Sequence, residues 1–455
     1  MQSFAPEGSA GTAPAIDPKW SDPAFLDALR QQGDPVAEAA VAALKADGVS
    51  QATLRRSLGF MRNNGGQLPD DAPEVLQKFF AHTYERCPSC LAPDLPAWVD
   101  RDRLIRGQAV FAKHTVACIL VLLCKSLPEG YAAPGMTKVL NMSGELTKLP
   151  FHRLAGTLQL LKTVTRPGSF ERNGMGILAT QEMRMLHAGV RVNVAQAAMP
   201  APGYDAYRAQ YGIPINAEDL IGVTMAFSLL VIQGLRTLGV VLTPRQEEDY
   251  YYVWRVYAHL KGVRAPGMPD DADCLPQSVA EAEVFYQAFA KRHYVGATDY
   301  SAGWLERSQT ANPDGVGLTK AHMRMIARFL AGRFSDGRGR TTYESDASGP
   351  LRRLLQHLYR RLAEMYAHRL IGAEACARVG IGPPMAMRWF HYAVGDWALH
   401  TGERLLRKVP VDVRAGLANW WFEDIIKDVF GEPVAYPIPY DKGDLEELAT
   451  HGRAA

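Results

Sequence analysis

The stretch 177–198, ILATQEMRMLHAGVRVNVAQAA, constrains this chain more than any other. It holds one glycine, Gly189, and no proline, and Leu178, Met185, Leu186, Val190 and Val194 recur at helical spacing. That pattern predicts a buried helix. At about 100° per residue, Arg184, His187 and Arg191 fall within roughly 60° of one another, with Thr180 close to the same stripe. An imidazole thus stands between two guanidiniums on one face. A buried arginine is costly without an anion beside it, because desolvating an unpaired charge exceeds what packing returns. The face needs a negative partner.

Haem b is one such partner: its iron takes an imidazole nitrogen axially, and its propionates accept paired hydrogen bonds from arginine. Carboxylates from elsewhere in the chain are another, with His187 then an ordinary core or surface histidine. Spacing alone leaves both readings open.

The string MRMLHAGVR, with SFERNGMGIL leading into it, resembles the haem-b oxygenase family of the rubber-cleaving latex clearing proteins and the fungal mycophenolic-acid-pathway oxygenase MpaB. The likeness extends through LPAWVDRDRLIRGQAVF, SLPEGYAAPGMTKVLNMSGEL and DLIGVTMAFSLLVIQGLRTLGVVLT. The resemblance implies an all-α fold, a globin-like helical haem-binding core with extra helices at both ends. It implies haem b as cofactor, His187 as the proximal iron ligand, and Arg184 and Arg191 beside it. It further implies Arg153 and Thr157 on the distal side and Thr224 near the haem. Some relatives carry, just before that distal threonine, a lysine able to take the sixth iron position. Gly156 stands there in this chain, so a self-ligated distal site is not implied. The family's proposed catalytic acid has no clear counterpart. Spacing lands near Thr137 and Lys138, and Glu145 is the nearest carboxylate.

The residues around Arg153 have a reading of their own. Pro150 suits the first turn of a helix, from which Arg153, Thr157, Leu160 and Val164 share a face. By spacing alone Arg153 and Thr157 are the solvated start of a core helix. An open position opposite an axial histidine would instead use them, since a nearby donor stabilises negative charge developing on oxygen.

Composition excludes several classes. Net charge is +2 with a pI near 8.1, too balanced to suggest a nucleic-acid partner. Of six cysteines only Cys87 and Cys90 form a CxxC, without the second pair of a zinc site or the following histidine of a covalent haem. Cys118 and Cys124 read as core thiols. The apolar runs 116–124 and 219–235 read as buried helices rather than bilayer spans. The N-terminus shows no basic segment followed by an apolar one, so the chain as written is expected to stay in the cytoplasm, or to be secreted if a leader has been removed.

Organisation follows from punctuation. A Gly/Ala/Ser/Pro-rich tail spans 1–20, short accessory helices 21–100, a haem-binding core 101–265, and a helical C-terminal portion 266–455. Ser21 is the expected cap of the first helix. No strict alternation demands a sheet. The expected function is a haem-b dioxygenase that uses O2 to cleave carbon–carbon double bonds of a hydrophobic isoprenoid such as cis-1,4-polyisoprene. The alternatives are an MpaB-like oxygenase of a smaller intracellular lipid-like substrate, a non-catalytic haem sensor or storage protein, and a haem-free helical interaction protein. The sequence leaves the oligomeric state open.

Overall fold

The computed structural model describes residues 16–63, 67–85, 95–143, 150–171, 174–194, 202–269, 271–294, 313–335 and 349–382, with 397, 401, 404–405, 409 and 413. Every regular element among these residues is helical. In chain order they are α1 (Pro23–Arg30), α2 (Pro35–Ala46), α3 (Gln51–Asn63), α4 (Glu74–Glu85), α5 (Arg101–Val121), α6 (Leu127–Gly130), α7 (Pro134–Ser143) and α8 (Pro150–Thr165). There follow α9 (Met175–Gly189), α10 (Gly203–Tyr211), α11 (Ala217–Phe227), α12 (Leu229–Thr237), α13 (Pro244–Leu260), α14 (Val279–His293), α15 (Pro313–Ser335) and α16 (Pro350–Arg378). The all-α expectation holds.

Local chemistry explains the starts. Proline occupies the first turn of α1, α2 and α13, where its missing N–H costs nothing. Asp22, rather than Ser21, caps α1, accepting from the Ala24 and Phe25 amides. Asp34 caps α2 through the Ala37 amide, and Thr243 and Gln246 form a capping box on α13. Apolar burial then selects the packing. One core runs from Trp20 to Ile381 and takes in α5, α11, α12, α13 and α14. A second cluster joins α2, α3 and α4 to one side of α9 through Leu178, Met185 and Ala188. Because Ile177, Ala179 and Met183 enter the main core, α9 is sandwiched between the two.

Three elements differ from the sequence reading. The end of the segment read as a tail is a 3₁₀ turn, Pro18–Ser21. Its Trp20 is buried, and the indole N–H donates to Glu281 at 3.0 Å. The run read as one helix from Asp219 to Leu235 breaks at Ser228, whose φ and ψ are −113° and −84°. Thr224 donates to the Leu220 carbonyl and Ser228 to that of Thr224, both at 2.7 Å, the side-chain back-bonding that bends helices. The helix expected to follow Arg101 without interruption passes at Leu122–Ser126 into a π-helical turn. The pair Cys87 and Cys90 lies outside the described residues.

Gly107 sets how near α5 and α13 come. A Cβ added to Gly107 would sit 2.1 Å from the Asp249 carbonyl oxygen and 2.6 Å from Val253. Beside this contact the Asp249 carboxylate receives Arg103 at 3.2 Å and Arg106 at 2.7 Å. Gly107→Ala is expected to push the helices apart and cost about 2–3 kcal/mol, read as a lower urea midpoint with an unchanged m-value.

Candidate functional site

Helix α9 positions the residues singled out by the sequence. Twelve of its residues are buried, so it has little freedom to rotate, and α2 ties it down with polar links. Arg184 makes a two-pronged pair with Asp34, Nη2 donating to Oδ1 at 2.9 Å and Nε to Oδ2. Arg191 donates through Nε to Glu38 and through Nη1 to the Ile215 carbonyl at 3.0 Å. Lys45 donates to Asn193 at 3.1 Å. The Arg184 guanidinium also lies 5.5 Å from the Phe79 ring centroid, a favourable cation–π arrangement.

These links answer what faces the arginines. Their negative partners are carboxylates of α2, and Arg184, Arg191, Asp34 are all buried. Burial works to raise the Asp34 carboxyl, but the charge and hydrogen bonds of Arg184, with Arg191 behind it, hold it below the ordinary value of 3.8. Sequence reading missed Asp34 and Glu38. The signal available was an acidic cap before Pro35 with a second acid one turn on, and only the fold reveals that both face α9.

His187 is half-buried in the last turn of α9. The helix then widens into a π-helical turn, Val190–Val194, a feature frequent at functional sites. Thr180 and Thr224 are fully buried and spend their hydroxyls on the Gly176 carbonyl at 2.5 Å and the Leu220 carbonyl at 2.7 Å. Glu145 lies outside the described residues, and of Arg153 only the helical backbone is described.

Helix α8 packs on α9, and the turn between them is tight. Gly174 and Gly176 press on Ser169, where an added Cβ would lie 2.3 and 2.8 Å from its carbonyl oxygen. Arg153 is twelve residues before Thr165, the end of α8, and His187 is twelve after Met175, the start of α9 (165 − 153 and 187 − 175). Equal rises of about 1.5 Å per residue along two helices folded back on one turn bring these positions to about the same level. The same count puts Thr157 level with Met183. Gly156 is buried, and among the described residues nothing lies within 4 Å of where its Cβ would be. Among the described residues, α8 therefore has room beside Gly156.

Set against a haem, these residues fit at two points. A half-buried imidazole suits an axial ligand, and the space at Gly156 is a cradle that a side chain would fill. The guanidiniums are held by Asp34 and Glu38, contacts that fix α9.

One buried group escaped the sequence reading. Lys261 follows α13 with 3% exposure, its amine 4.8 Å from the Tyr257 ring centroid. Burial brings that amine down to about 7.

The fold and this helix pair define a class, an all-α protein with a histidine helix faced by an arginine- and threonine-bearing one. Residues 109–400, well over half the chain, match the family described as ER-bound oxygenase mpaB/B'/Rubber oxygenase, catalytic domain, and the chain belongs to it. It is 26% identical over 273 residues to the rubber oxygenase of Streptomyces sp. (strain K30), a match covering 59% of this chain and 60% of that relative. It also resembles a solved latex clearing protein in its closed state, with a TM-score of 0.60 and 19% identity, covering 90% of this chain and 95% of that one.

Two predictions follow from burial. Asp34→Asn is expected to cost about 3–5 kcal/mol in chemical denaturation, and Glu38→Gln less, because Glu38 is half-exposed. The Asp34 contribution is present above its unfolded pKa and is lost as pH falls through the lower folded value, so the wild-type and Asp34→Asn stabilities should converge in acid. Lys261 behaves oppositely. Its unfolded form holds a proton between about 7 and its ordinary 10.5, so stability should rise with pH across that window and the rise should vanish in Lys261→Met.

Proposed function

We propose that this chain is a haem-b-dependent oxygenase that uses O2 to cleave a carbon–carbon double bond of a hydrophobic isoprenoid, cis-1,4-polyisoprene being the model substrate. Family membership supports oxygenase chemistry, and the observation that supports the site is the packing of α8 on α9, with Arg153 and His187 at equal residue counts from the turn between them and, among the described residues, room beside Gly156. His187 would hold the iron through its imidazole. Haem, when bound, supplies the iron centre at which oxygen is activated.

The chain's own residues do the rest. Asp34 and Glu38 lock Arg184 and Arg191, which fixes the rotation of α9 and so the direction of His187. Gly156 leaves room where a longer side chain would intrude. Arg153 serves as the cationic donor of the opposite face and Thr157 as its hydroxyl. The buried apolar residues of α11 and α12, Leu220, Phe227 and Leu230 among them, would form a wall that excludes water and favours a greasy substrate. Glu145 is given no proton-transfer role. A smaller lipid-like molecule satisfies the same apolar selection as the polymer.

The pairing of both arginines with carboxylates favours a second reading, a helical protein that takes no haem. Absorbance decides between them. The protein produced with haem supply is expected to show a Soret band that His187→Ala removes, and its absence from the wild type would leave the second reading standing. Oxygen uptake with polyisoprene or short isoprenoids, giving carbonyl products, should then fall more in Arg153→Ala than haem content does.

A further inference from the structure

The leucine stripe of α16 climbs out of the protein. Leu351, Leu354 and Leu358 lie within about 60° of one another at 100° per residue, and are 68%, 54% and 48% exposed. The stripe continues through Leu362, which packs partly on the core, to Met365 at 1%. Its inner half is thus ordinary core packing against α15 and the body, and its outer half is apolar surface with no use in the site described above. Three large exposed leucines in line are not the scattered surface residues that need no explanation.

The charge beside them is one-sided. Between Pro350 and Glu364 the sequence carries Arg352, Arg353, Arg360 and Arg361 against the single acid Glu364, in a chain whose net charge is only +2. Glu364 takes Arg361 at 2.9 Å and Arg360 at 3.7 Å. Arg353 and His357 are exposed, at about 130° and about 90° round the helix from the stripe. An apolar strip backed by arginines is the composition of a helix that lies in a membrane interface, with leucines among acyl chains and guanidiniums at phosphates.

We infer that the outer half of α16 docks the protein on the surface of an anionic lipid bilayer. Charge complementarity selects this occupant. Two copies of the chain joined through the same strip would bring eight arginines together, whereas anionic headgroups neutralise them. The inference does not depend on haem binding, because it concerns a separate surface and is scored on protein, not on activity.

Flotation of the full chain with vesicles tests it, using phosphatidylcholine alone and phosphatidylcholine with one-quarter phosphatidylglycerol. The protein should co-float with the anionic vesicles at low salt and not with the neutral ones. Leu351→Gln/Leu354→Gln/Leu358→Gln should reduce partitioning about tenfold or more, and Arg352→Glu/Arg353→Glu should reduce it as well, with the helical circular dichroism and melting temperature unchanged in both. Failure to co-float, or equal binding by the triple variant, overturns the inference. So does a wild-type dimer that the triple variant splits, which would make the occupant a second copy. A fall in melting temperature on the triple substitution alone would also overturn it, because the leucines would then already be covered by the chain itself.

Discussion

The buried pair of Arg184 with Asp34 is the constraint on which the candidate site depends. Helix α9 is apolar on two sides, and apolar packing is indifferent to small rotations about the helix axis. A two-pronged guanidinium–carboxylate contact is not, since it works only at one angle and one height. Arg191 with Glu38 repeats the restraint two turns along, and Lys45 with Asn193 extends it into the π-helical turn. With α2 strapped along α9 in this way, His187 has one direction in which to present its imidazole. The same contacts explain how two buried guanidiniums survive inside a mostly apolar body, because Arg184 and Arg191 each meet a carboxylate at the start of α2.

The second requirement is the turn between α8 and α9. Its glycines let the chain reverse closely enough for two successive helices to pack together, with Arg153 and His187 each twelve residues from the helix end at the turn. The open space at Gly156 follows from a missing side chain rather than from a separated pair of helices. A longer side chain at that position would enter the space.

Function and surface thus draw on different physical resources. The site uses burial, with charges paired and space left inside the core. The outer half of α16 uses the same leucine periodicity that packs its inner half, but continues it past the body of the protein. Helical periodicity cannot signal where burial ends, so this strip reads in the sequence as one more core helix.

Residue order alone determined the helical class, because apolar spacing, prolines at first turns and acidic caps are local signals that tertiary contacts here reinforce. The histidine helix and its flanking arginines were legible for the same reason. Partners distant in sequence were not. Asp34 and Asp22 both stand directly before a proline at a helix start, and only the fold turns one of them towards Arg184, 150 positions away. Trp20 looked like part of a tail because its environment is Gly- and Pro-rich, yet Glu281 and the ring of Phe285 enclose it. Ser228 gave no warning of a break, since whether a serine back-bonds strongly enough to interrupt a helix depends on the packing around it. Local propensity settles which segments are helices; which carboxylate meets which guanidinium is decided by how those helices pack, and that contact is what orients the imidazole.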